Sequence, residues 1–542
     1  MQTLRNKYLW LLLLCLFTTG CPDLNYPGNY RKTVLDIEID LAGIPAIERN
    51  RIDTIEVSVS GVIELQEFTF DPTQDFSING IAIIQTLDQE VGPIETSGDL
   101  FVRVSVLAGN VEIAADTQVI PIEVNSGHED VKFALAIQPS PNGCRVYNPQ
   151  KPVFDGVRVG TFGVSKANGN YFVAYVDKTN STVETPRGQL YSVKLNTKGE
   201  LLNGPFLLDS DVAPNIVSAL PVVYGDLNGY VVAWERYEPS SGEKSVVLLR
   251  TEYNGSPTSL RRVIPVGKPT EVRPSIAVRQ GAIAVGFGSK ASANTPDQVT
   301  LASFDLFTLS PRATARELAP ANYSSSYVSL AANGNGFGVL WSARASTTSE
   351  FQERFALLDQ DLDVITQKIL TNHEGTAMLG RLVSTSSNFL AAWEDTRDFE
   401  FEEQIALATI STDASTISEH FNVDPTFTRS ANWPNIAMGN NGGVTAFYQF
   451  RDDENHAPQV FITRIAADGT KLGSGDLQIS QNFAGEAGAR FPDVVYAGTT
   501  TLNQTTPVDL YGLFWVEEHE GEVSRLMFAT TYCKHDQYGD IE

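Results

Sequence analysis

Cysteine and positive charge are scarce in this chain of 542 residues. It contains four cysteines, and 39 Lys and Arg residues stand against 65 Asp and Glu residues, which gives a formal net charge of −26 at pH 7. A surface of this sign repels nucleic-acid phosphates and anionic lipid headgroups. We therefore predict no nucleic-acid partner and interpret the acidity as a source of solubility outside the cytoplasm.

Catalytic and metal-binding motifs are also missing. The six histidines are scattered, and no HExxH, Gly-x-Ser-x-Gly or GxxxxGK[ST] motif occurs. Asp359, Asp361 and Asp363 alternate as calcium ligands do, but the central glycine and distal glutamate of a calcium loop are absent, which favours a simple hairpin. We assign no catalytic, cofactor-binding or metal-binding residue and expect no cofactor. Whether the protein is an enzyme stays open, with a non-catalytic role favoured.

A long apolar run is missing from the N-terminal segment. Two basic residues, Arg5 and Lys7, precede an apolar run of ten residues from Tyr8 to Phe17. Ten residues are too few to span a bilayer as a helix. The segment is therefore expected to be an export signal and not part of the fold.

The residues that follow this run are Thr18-Thr19-Gly20-Cys21. They resemble the lipobox of bacterial lipoproteins, although Thr18 stands where Leu, Val or Ile is usual. The resemblance implies a signal peptide over 1–20, palmitate-type acylation of Cys21, a tether over 21–33, and anchoring to a lipid bilayer of the bacterial cell envelope, the outer membrane being expected. An ordinary secretory signal with a chance cysteine is the alternative.

Only Cys144 and Cys533 remain once Cys15 is removed with the signal and Cys21 is acylated. Disulfides persist in exported proteins. The two cysteines lie at the beginning and end of a repeat region described below. We therefore predict that they form a disulfide bond.

Strand patterns fill residues 34–138. Apolar and polar residues alternate in segments such as VLDIEIDLA and DLFVRVSVLAG, and turn signals separate about seven such segments. This pattern predicts a small β-sandwich of immunoglobulin-like or prealbumin-like type. Residues 139–143 are expected to be a linker.

From residue 144 onward one pattern recurs seven times: an apolar stretch, a Gly/Asn turn, and a strand that ends in a large aromatic residue. The spacings between successive aromatic residues run from 52 to 68. A period near fifty with four strands per unit predicts a seven-bladed β-propeller over 144–535, with a tail over 536–542. These seven anchor aromatics are expected to pack between blades and not to stack on a ligand: Tyr175, Trp234, Phe287, Trp341, Trp393, Phe447 and Trp515.

The last repeat lacks a fourth strand before the chain ends. Residues 144–147 (CRVY) precede the first inner strand and have no place in the first repeat. They are expected to pair with the segment before Cys533, because this would close the ring and cover an exposed sheet edge.

Two segments carry a resemblance to a known class of protein. Pro274-Ser275-Ile276-Ala277 and Trp393-Glu394-Asp395-Thr396-Arg397-Asp398 resemble the propeller repeats of secreted and lipid-anchored bacterial proteins. The resemblance implies an exported binding or scaffold protein and no defined chemistry.

One face of the propeller is the expected ligand face, because variable loops on a rigid scaffold commonly carry function. Arginines precede three inner strands near the axis, tyrosines occupy the equivalent region of the fourth repeat, and charged residues fill the loops between second and third strands. The candidate residues are Arg273, Tyr323, Tyr327, Asp395, Arg397, Arg429, Arg451 and Arg490.

Three functions are compatible with such a face. The first is binding of a protein or glycan. The second is a sialidase-like hydrolase or a lyase acting on glycans, although the Asp-box signature is absent. The third is a purely structural role in the envelope, and Asp395 and Arg397 would then be a local ion pair of little energetic value.

The lipid anchor can be tested by substitution. Cys21→Ala should release the protein from membranes into the soluble fraction, because the acyl chains supply the bilayer affinity. Cys15→Ala is the matched control, since Cys15 is removed with the signal. Fractionation and immunoblotting measure the result, and unchanged membrane association of Cys21→Ala would refute the anchor.

Overall fold

The structure, a computed structural model, describes two stretches of the chain with gaps. In the first it describes residues 33–43, 52–61, 63, 66–70, 84–91, 97–108, 111–122 and 128–136. In the second it describes residues 142–535 except 155, 182–187, 211–215, 293, 320–321, 346–348, 398–402, 419–420, 423–429, 450–456, 481–486, 503–505 and 520–523. The expected signal peptide 1–20, Cys21 and the tail 536–542 lie outside the described residues.

All regular elements in these stretches are strands, which confirms the all-β prediction. The chain divides into two compact units, residues 1–138 and 139–542. Among the described residues, no helix is long and apolar enough to cross a membrane.

The first unit contains two sheets that share one apolar core. Its strands are β1 (Thr33–Gly43), β2 (Thr54–Gly61), β3 (Gln66–Phe70), β4 (Ile84–Val91), β5 (Gly98–Ala108), β6 (Val111–Ile122) and β7 (His128–Ala136). The strand orders are β4-β1-β7 and β3-β2-β5-β6, and only the β1–β7 pair is parallel. Alternate residues of β1 and β2, including Leu35, Ile37, Ile55 and Val57, are fully buried in this core, as a sheet with one covered face requires.

The second unit begins with β8 (Cys144–Pro152) and then forms seven four-stranded antiparallel sheets within its described residues. Sheet 1 comprises β9 (Val159–Ala167), β10 (Asn170–Asp177), β11 (Gln189–Leu195) and β12 (Leu201–Leu207). Sheet 2 comprises β13 (Val217–Asp226), β14 (Gly229–Tyr237), β15 (Lys244–Thr251) and β16 (Pro257–Gly267). Sheet 3 comprises β17 (Ser275–Arg279), β18 (Ala282–Ser289), β19 (Gln298–Asp305) and β20 (Pro311–Glu317). Sheet 4 comprises β21 (Ser324–Ala332), β22 (Phe337–Arg344), β23 (Gln352–Leu358) and β24 (Val364–Ile369).

The remaining three sheets follow the same plan. Sheet 5 comprises β25 (Ala377–Ser384), β26 (Asn388–Asp395), β27 (Gln404–Ser411) and β28 (Phe421–Asn422). Sheet 6 comprises β29 (Ala431–Gly439), β30 (Gly442–Gln449), β31 (Gln459–Ile465) and β32 (Lys471–Gln478). Sheet 7 comprises β33 (Ala487–Leu502), β34 (Thr506–His519), β35 (Arg525–Lys534) and β8. These sheets confirm the propeller-like arrangement in its general form.

The second strand of each sheet is apolar on both faces because neighbouring sheets cover both. Each anchor aromatic lies on such a strand and is at most 3% exposed. Each also belongs to an apolar cluster that joins its own sheet to the preceding one, as Trp341 joins sheets 3 and 4 and Trp393 joins sheets 4 and 5. The prediction that these residues pack between sheets is confirmed.

The same packing joins the last sheet to the first. Tyr171 and Tyr175 of β10 share a cluster with Phe514 of β34 and Phe528 of β35. The rings of Tyr171 and Phe514 lie 5.5 Å apart at a steep angle, a favourable edge-to-face arrangement. The seven sheets therefore contact one another in a continuous circuit.

Sheet 7 is completed by the segment that precedes sheet 1. Cys144, Arg145 and Val146 of β8 pair with Cys533, Tyr532 and Thr531 of β35. The predicted pairing of residues 144–147 with the last strand is confirmed, and the strand extends further, to Pro152.

The predicted disulfide joins the same two strands. Cys144 and Cys533 are bonded, their Cα atoms are 4.0 Å apart, and 389 residues separate them in sequence. Just before Cys144, the side chain of Asn142 donates from Nδ2 to the Ile462 carbonyl in sheet 6 at 3.1 Å. The beginning and end of the second unit are thus held covalently and by hydrogen bonds.

Removal of the disulfide should destabilise the ring. The double substitution Cys144→Ala/Cys533→Ala frees a long loop in the unfolded chain and should lower the free energy of unfolding by up to about 5 kcal/mol. Calorimetric unfolding with and without reductant measures this. Reductant should lower the midpoint of the wild type and leave that of the double variant unchanged; identical midpoints for wild type and variant would contradict the stabilising role.

Candidate functional site

Six inner strands begin with the same backbone irregularity. One residue with positive φ, between 37° and 60°, stands at the start of the inner strand of each sheet from 2 to 7. In sheets 2, 4, 5, 6 and 7 the pairing with the second strand shifts at this point, which is a β-bulge. The six residues are Leu220, Arg273, Tyr327, Leu379, Trp433 and Phe491.

The residue two positions after each of these six residues occupies an equivalent site in sheets 2 to 7, and Gly163 occupies that site in sheet 1. Each of these residues pairs with the residue immediately before an anchor aromatic, as Arg381 pairs with Ala392 and Asp493 with Phe514. All seven line one cavity of about 430 Å³, which we call the axial cavity. We call the residues the axial ring: Gly163, Val222, Ser275, Ser329, Arg381, Asn435 and Asp493.

Apolar and aromatic side chains supply much of the remaining wall. They include Phe162, Leu220, Trp433 and Phe491, with several prolines that follow the bulged residues. Gly163 is required where it stands, because a Cβ there would lie 2.3 Å from the carbonyl oxygen of Pro221. The cavity is therefore shaped by close contact between neighbouring inner strands.

Hydrogen bonds link the axial ring from one sheet to the next. The amide of Leu330 donates to Ser275 Oγ at 3.0 Å, and the amide of Leu382 donates to Ser329 Oγ at 3.0 Å. Across the last junction, the amide of Val164 donates to Asp493 Oδ2 at 3.2 Å. These polar side chains thus help to hold adjacent sheets together.

Two ring positions carry charge. Burial, together with the nearby Arg273, lowers the pKa of Arg381 to about 10, so its guanidinium remains protonated at neutral pH. Burial raises the pKa of Asp493 to about 6, although Arg381 and hydrogen bonds from backbone amides and Asn435 oppose the rise. Asn435 Nδ2 donates to Asp493 Oδ1 at 2.8 Å. Asp493 is thus engaged by the protein.

Arg381 differs from Asp493 in its contacts. Its side chain makes no hydrogen bond or ion pair with the part of the chain that the structure describes. Its guanidinium carbon lies 5.8 Å from the ring centroid of Trp433, which is a weak cation–π contact. An arginine inside the protein with unused donors is a candidate for ligand binding.

Arg273 lies over two aromatic rings beside the cavity. Its Nε donates to Glu271 Oε2 at 3.1 Å, and its guanidinium carbon is 4.8 Å from the Tyr327 ring and 4.6 Å from the Trp433 ring. Its Nη1 is buried without a hydrogen-bond partner among the described residues. Residues from sheets 4 and 6 thus hold this arginine between them.

Carboxyls beside the cavity also have shifted pKa values. Burial raises the pKa of Glu394 to about 7, against the effect of the Trp433 amide, which donates to its Oε1 at 2.7 Å. Glu353 is fully buried in β23, and burial raises its pKa to about 8. Its Oε1 accepts from Ser342 Oγ at 2.8 Å and from the Gly380 amide at 3.2 Å, while its Oε2 has no partner within the part of the chain that the structure describes. Glu353 therefore supports the bulge that carries Arg381.

The residues predicted from sequence are spread over several environments. Arg273 lines the axial cavity, and Tyr327 lies against Arg273. Tyr323 instead packs under Arg354, 4.8 Å from its guanidinium carbon, and Arg490 approaches Glu518 at 3.8 Å. Arg429 and Arg451 lie outside the described residues.

Asp395 and Arg397 form a local pair. Asp395 accepts from Trp393 Nε1 at 2.8 Å and from the Arg397 amide at 2.9 Å, and it also forms an ion pair with the Arg397 guanidinium. Burial raises the pKa of Asp395, but these hydrogen bonds outweigh it and hold the pKa below its ordinary value. The geometry matches the local alternative considered for this loop.

The three aspartates around residue 361 form a turn. The amides of Asp361 and Asp363 both donate to Asp359 Oδ1, at 2.9 and 2.8 Å, and Asp363 forms an ion pair with Arg316. Within the described ranges, no group of three His, Cys, Asp or Glu residues is arranged to hold a metal ion.

Sequence reasoning missed Arg381, Asn435 and Asp493. Their signal was positional: each lies two residues after a bulged residue, and prolines mark several of these bulges, as in Trp433-Pro434 and Phe491-Pro492. Aligning the repeats on that position, and not on the anchor aromatics, would have shown two charged residues among small, apolar or neutral ones.

Comparisons with known proteins reveal only distant similarity. No protein-family model matches the chain, and no curated protein matches it. It is similar to the beta-propeller domain of the Trilobed protease from Pyrococcus furiosus, with 9% identity, a TM-score of 0.38, and coverage of 69% of this chain and 93% of that one. It is also similar to an endo-arabinanase from Bacillus licheniformis, with 12% identity, a TM-score of 0.31, and coverage of 50% and 100%.

A third similar structure is a subtype N10 neuraminidase-like protein of A/little yellow-shouldered bat/Guatemala. Its identity is 11%, its TM-score is 0.37, and the match covers 59% of this chain and 94% of that one. At such identities and TM-scores, none of the three carries an argument about ligand or activity.

The carboxyl of Glu353 should make stability depend on pH. Its folded pKa of about 8 exceeds its ordinary value of 4.5, so between these values the unfolded chain loses the proton while the folded protein keeps it. Stability should therefore fall as pH rises from 5 to 8, by an amount on the order of a few kcal/mol from this group. Glu353→Gln, which keeps the acceptor and cannot ionise, should make the fall shallower.

Calorimetric midpoints at pH 5 and pH 8 measure this effect. Glu317→Gln is the matched control, because Glu317 is exposed on β20. Its profile should follow that of the wild type. A fall of equal size in Glu353→Gln and wild type would show that Glu353 is not the group responsible.

Proposed function

We propose that the protein is an exported, lipid-anchored binding module that uses one face of a seven-bladed propeller to hold a protein or glycan. In this proposal residues 34–138 form a sandwich that follows the tether, and residues 144–535 form the propeller. The two sheets with a common core support the first part. The seven sheets in a continuous circuit support the second.

The observation that carries the binding role is the axial cavity. Every inner strand contributes to it, its volume of about 430 Å³ falls within the usual range for small-ligand sites, and its walls are apolar with a few polar groups. Its lining residues lie near the beginning of the inner strands, at the end of the sheets where the second strands end. A ligand in the cavity would therefore contact residues from all seven sheets at once.

A purely structural role accounts less well for the same residues. A scaffold needs only well-packed sheets, and four of the seven axial ring residues fit that need by hydrogen-bonding to an adjacent sheet: Ser275, Ser329, Asn435 and Asp493. Arg381 serves no such link among the described residues. A partly buried charge that pairs with no protein group contributes nothing to the contacts between sheets, so its presence favours a ligand.

One observation favours glycan hydrolysis as a second candidate. Asp493 and Glu394 have pKa values raised to about 6 and about 7, and glycosidases use a pair of carboxyls of which one is kept protonated. If this candidate is right, Asp493→Asn should abolish turnover of fluorogenic glycosides. If no glycoside in a broad panel is turned over by the wild type, the binding role is retained.

Trp433→Ala tests the binding role. Full-length protein is applied to arrays of glycans and peptides, and bound ligands are then titrated against the variant. Loss of a central aromatic side chain should weaken binding by about tenfold or more. Unfolding midpoints must accompany the titrations, so that a loss of fold is recognised.

Phe307→Ala is the matched control. Phe307 is exposed in the turn between β19 and β20, at the opposite end of the sheets from the bulges. It should bind as the wild type does. Equal binding by Trp433→Ala and wild type would place the ligand elsewhere and refute the proposed face.

A further inference from the structure

Several side chains that line the axial cavity have hydrogen-bond donors that no described residue accepts. Ser275 and Ser329 each use the hydroxyl oxygen to accept from the next sheet, and neither hydroxyl donates to another described residue. Thr161, which also lines the cavity, likewise accepts from the Leu220 amide at 2.9 Å. Each hydroxyl therefore retains an unused O–H donor.

The two arginines add to this excess. Arg381 has its full set of donors unused within the described part of the chain, and Arg273 has a buried Nη1 without a partner. The acceptors are in contrast engaged, because Asp493 receives from Asn435 and Val164 while Asn435 Oδ1 receives from the Ile436 amide at 2.9 Å. Among the side chains that line the cavity, unused donors therefore outnumber acceptor groups that have no hydrogen bond yet.

The charges limit what can satisfy these donors. Glu271 already pairs with Arg273, and Arg381 has no ion pair among the described residues, so the cavity offers one unpaired guanidinium, which suits a monoanion better than a dianion such as a phosphate monoester. A carboxylate carries one charge and two oxygens in the plane that a guanidinium can bind in a bidentate manner. A monocarboxylate is thus the matching acceptor.

The apolar lining of the cavity determines which chemical groups the rest of the ligand can carry. Phe162, Leu220, Val222 and Phe491 present apolar surface to the cavity. A polyhydroxylated ligand would bring further donors into a site whose acceptor side chains are already engaged, at a cost for each donor left unpaired. An apolar body avoids that cost and gains from burial.

We propose that the axial cavity binds an organic monocarboxylate with an apolar body, held by the guanidinium of Arg381 and the hydroxyls of Ser275 and Ser329. Such a group can be a free acid or the C-terminal residue of a peptide, and both present the same chemistry. This inference rests on the proposed function, because it names the ligand class of the same face.

Isothermal titration of full-length protein tests the ligand class. The probes are 3-phenylpropionate, its alcohol 3-phenylpropan-1-ol, acetate and glucuronate. The first should bind at least about tenfold more tightly than each of the others, since the alcohol lacks the charge, acetate lacks the apolar body and glucuronate adds donors. Equal binding of the alcohol, or tighter binding of glucuronate, would overturn the inference and leave the binding face itself intact.

Two peptides distinguish the sources of the carboxylate. Gly-Gly-Gly-Phe and its C-terminal amide differ only at the terminal group. Tighter binding of the peptide acid than of 3-phenylpropionate would identify a chain end as the ligand, and the reverse order would identify a free acid. Binding of the amide as tight as that of the acid would overturn the proposal.

Arg381→Met tests the residue. It keeps much of the side-chain length and should lower the affinity for 3-phenylpropionate by roughly 10- to 100-fold. Arg316→Met, on the exposed outer strand β20, is the matched control and should not alter binding. If Arg381→Met does not fold, Arg381→Lys keeps the charge without the bidentate geometry and should still weaken binding.

The failure of this inference and that of the proposed function are distinguishable. If no carboxylate probe binds while Trp433→Ala still abolishes binding of an array ligand, only the ligand class is wrong. If Arg381→Met and Arg381→Lys both bind 3-phenylpropionate as the wild type does, the role of Arg381 is wrong. If no array ligand depends on Trp433, the face itself is wrong.

Discussion

The structure of the second unit depends on burying both faces of every sheet against its neighbours. A four-stranded sheet with two apolar faces cannot be stable alone in water, and an open row of such sheets would leave one face exposed at each end. The contact of β10 with β34 and β35 removes both ends at once. The anchor aromatics are the largest side chains in these contacts, and truncation of one such ring costs roughly 3–5 kcal/mol. Strand β8, which precedes sheet 1 in the chain, pairs with β35 of sheet 7, and the Cys144–Cys533 bond links these two strands covalently. Both contacts stabilise the junction between the first and last sheets.

The same constraint explains how much could be predicted from the sequence. The second strands are apolar on both faces, so their aromatic residues recur at nearly constant spacing and the repeats were visible without a structure. The pairing of Cys144 with Cys533 was also accessible, because the expected export signal and lipid site left only these two cysteines to pair. The repeat spacing follows from the burial of the second strands, and the disulfide follows from the number of cysteines. The structure confirms both predictions.

The candidate site was less accessible because it depends on the bulges. A bulge adds one residue to the inner strand and moves the next side chains by one position, so reading the strand by simple alternation assigns the wrong residues to the axis. Arg273 was found because it immediately precedes a strand, whereas Arg381 lies inside one, between Gly380 and Leu382. The sequence analysis also predicted Tyr323 and Arg490 near the axis, because both residues lie close to the start of an inner strand. Their side chains contact Arg354 and Glu518 instead. Sequence distance from a strand end does not determine the direction of a side chain.

Arg381 is the axial ring residue that points to a ligand, because packing or hydrogen bonding within the protein explains the other six. Repetition places seven side chains at equivalent sites, and most of them are small, apolar or hydrogen-bonded to the adjacent sheet. A guanidinium in this position is partly buried and gains no protein acceptor among the described residues, and desolvation lowers its pKa without neutralising it. The sheet interfaces supply enough stability for the fold to tolerate that loss. Packing does not require a charged side chain at this position, which lies in a cavity lined by all seven sheets. This is the physical reason to look for the ligand there.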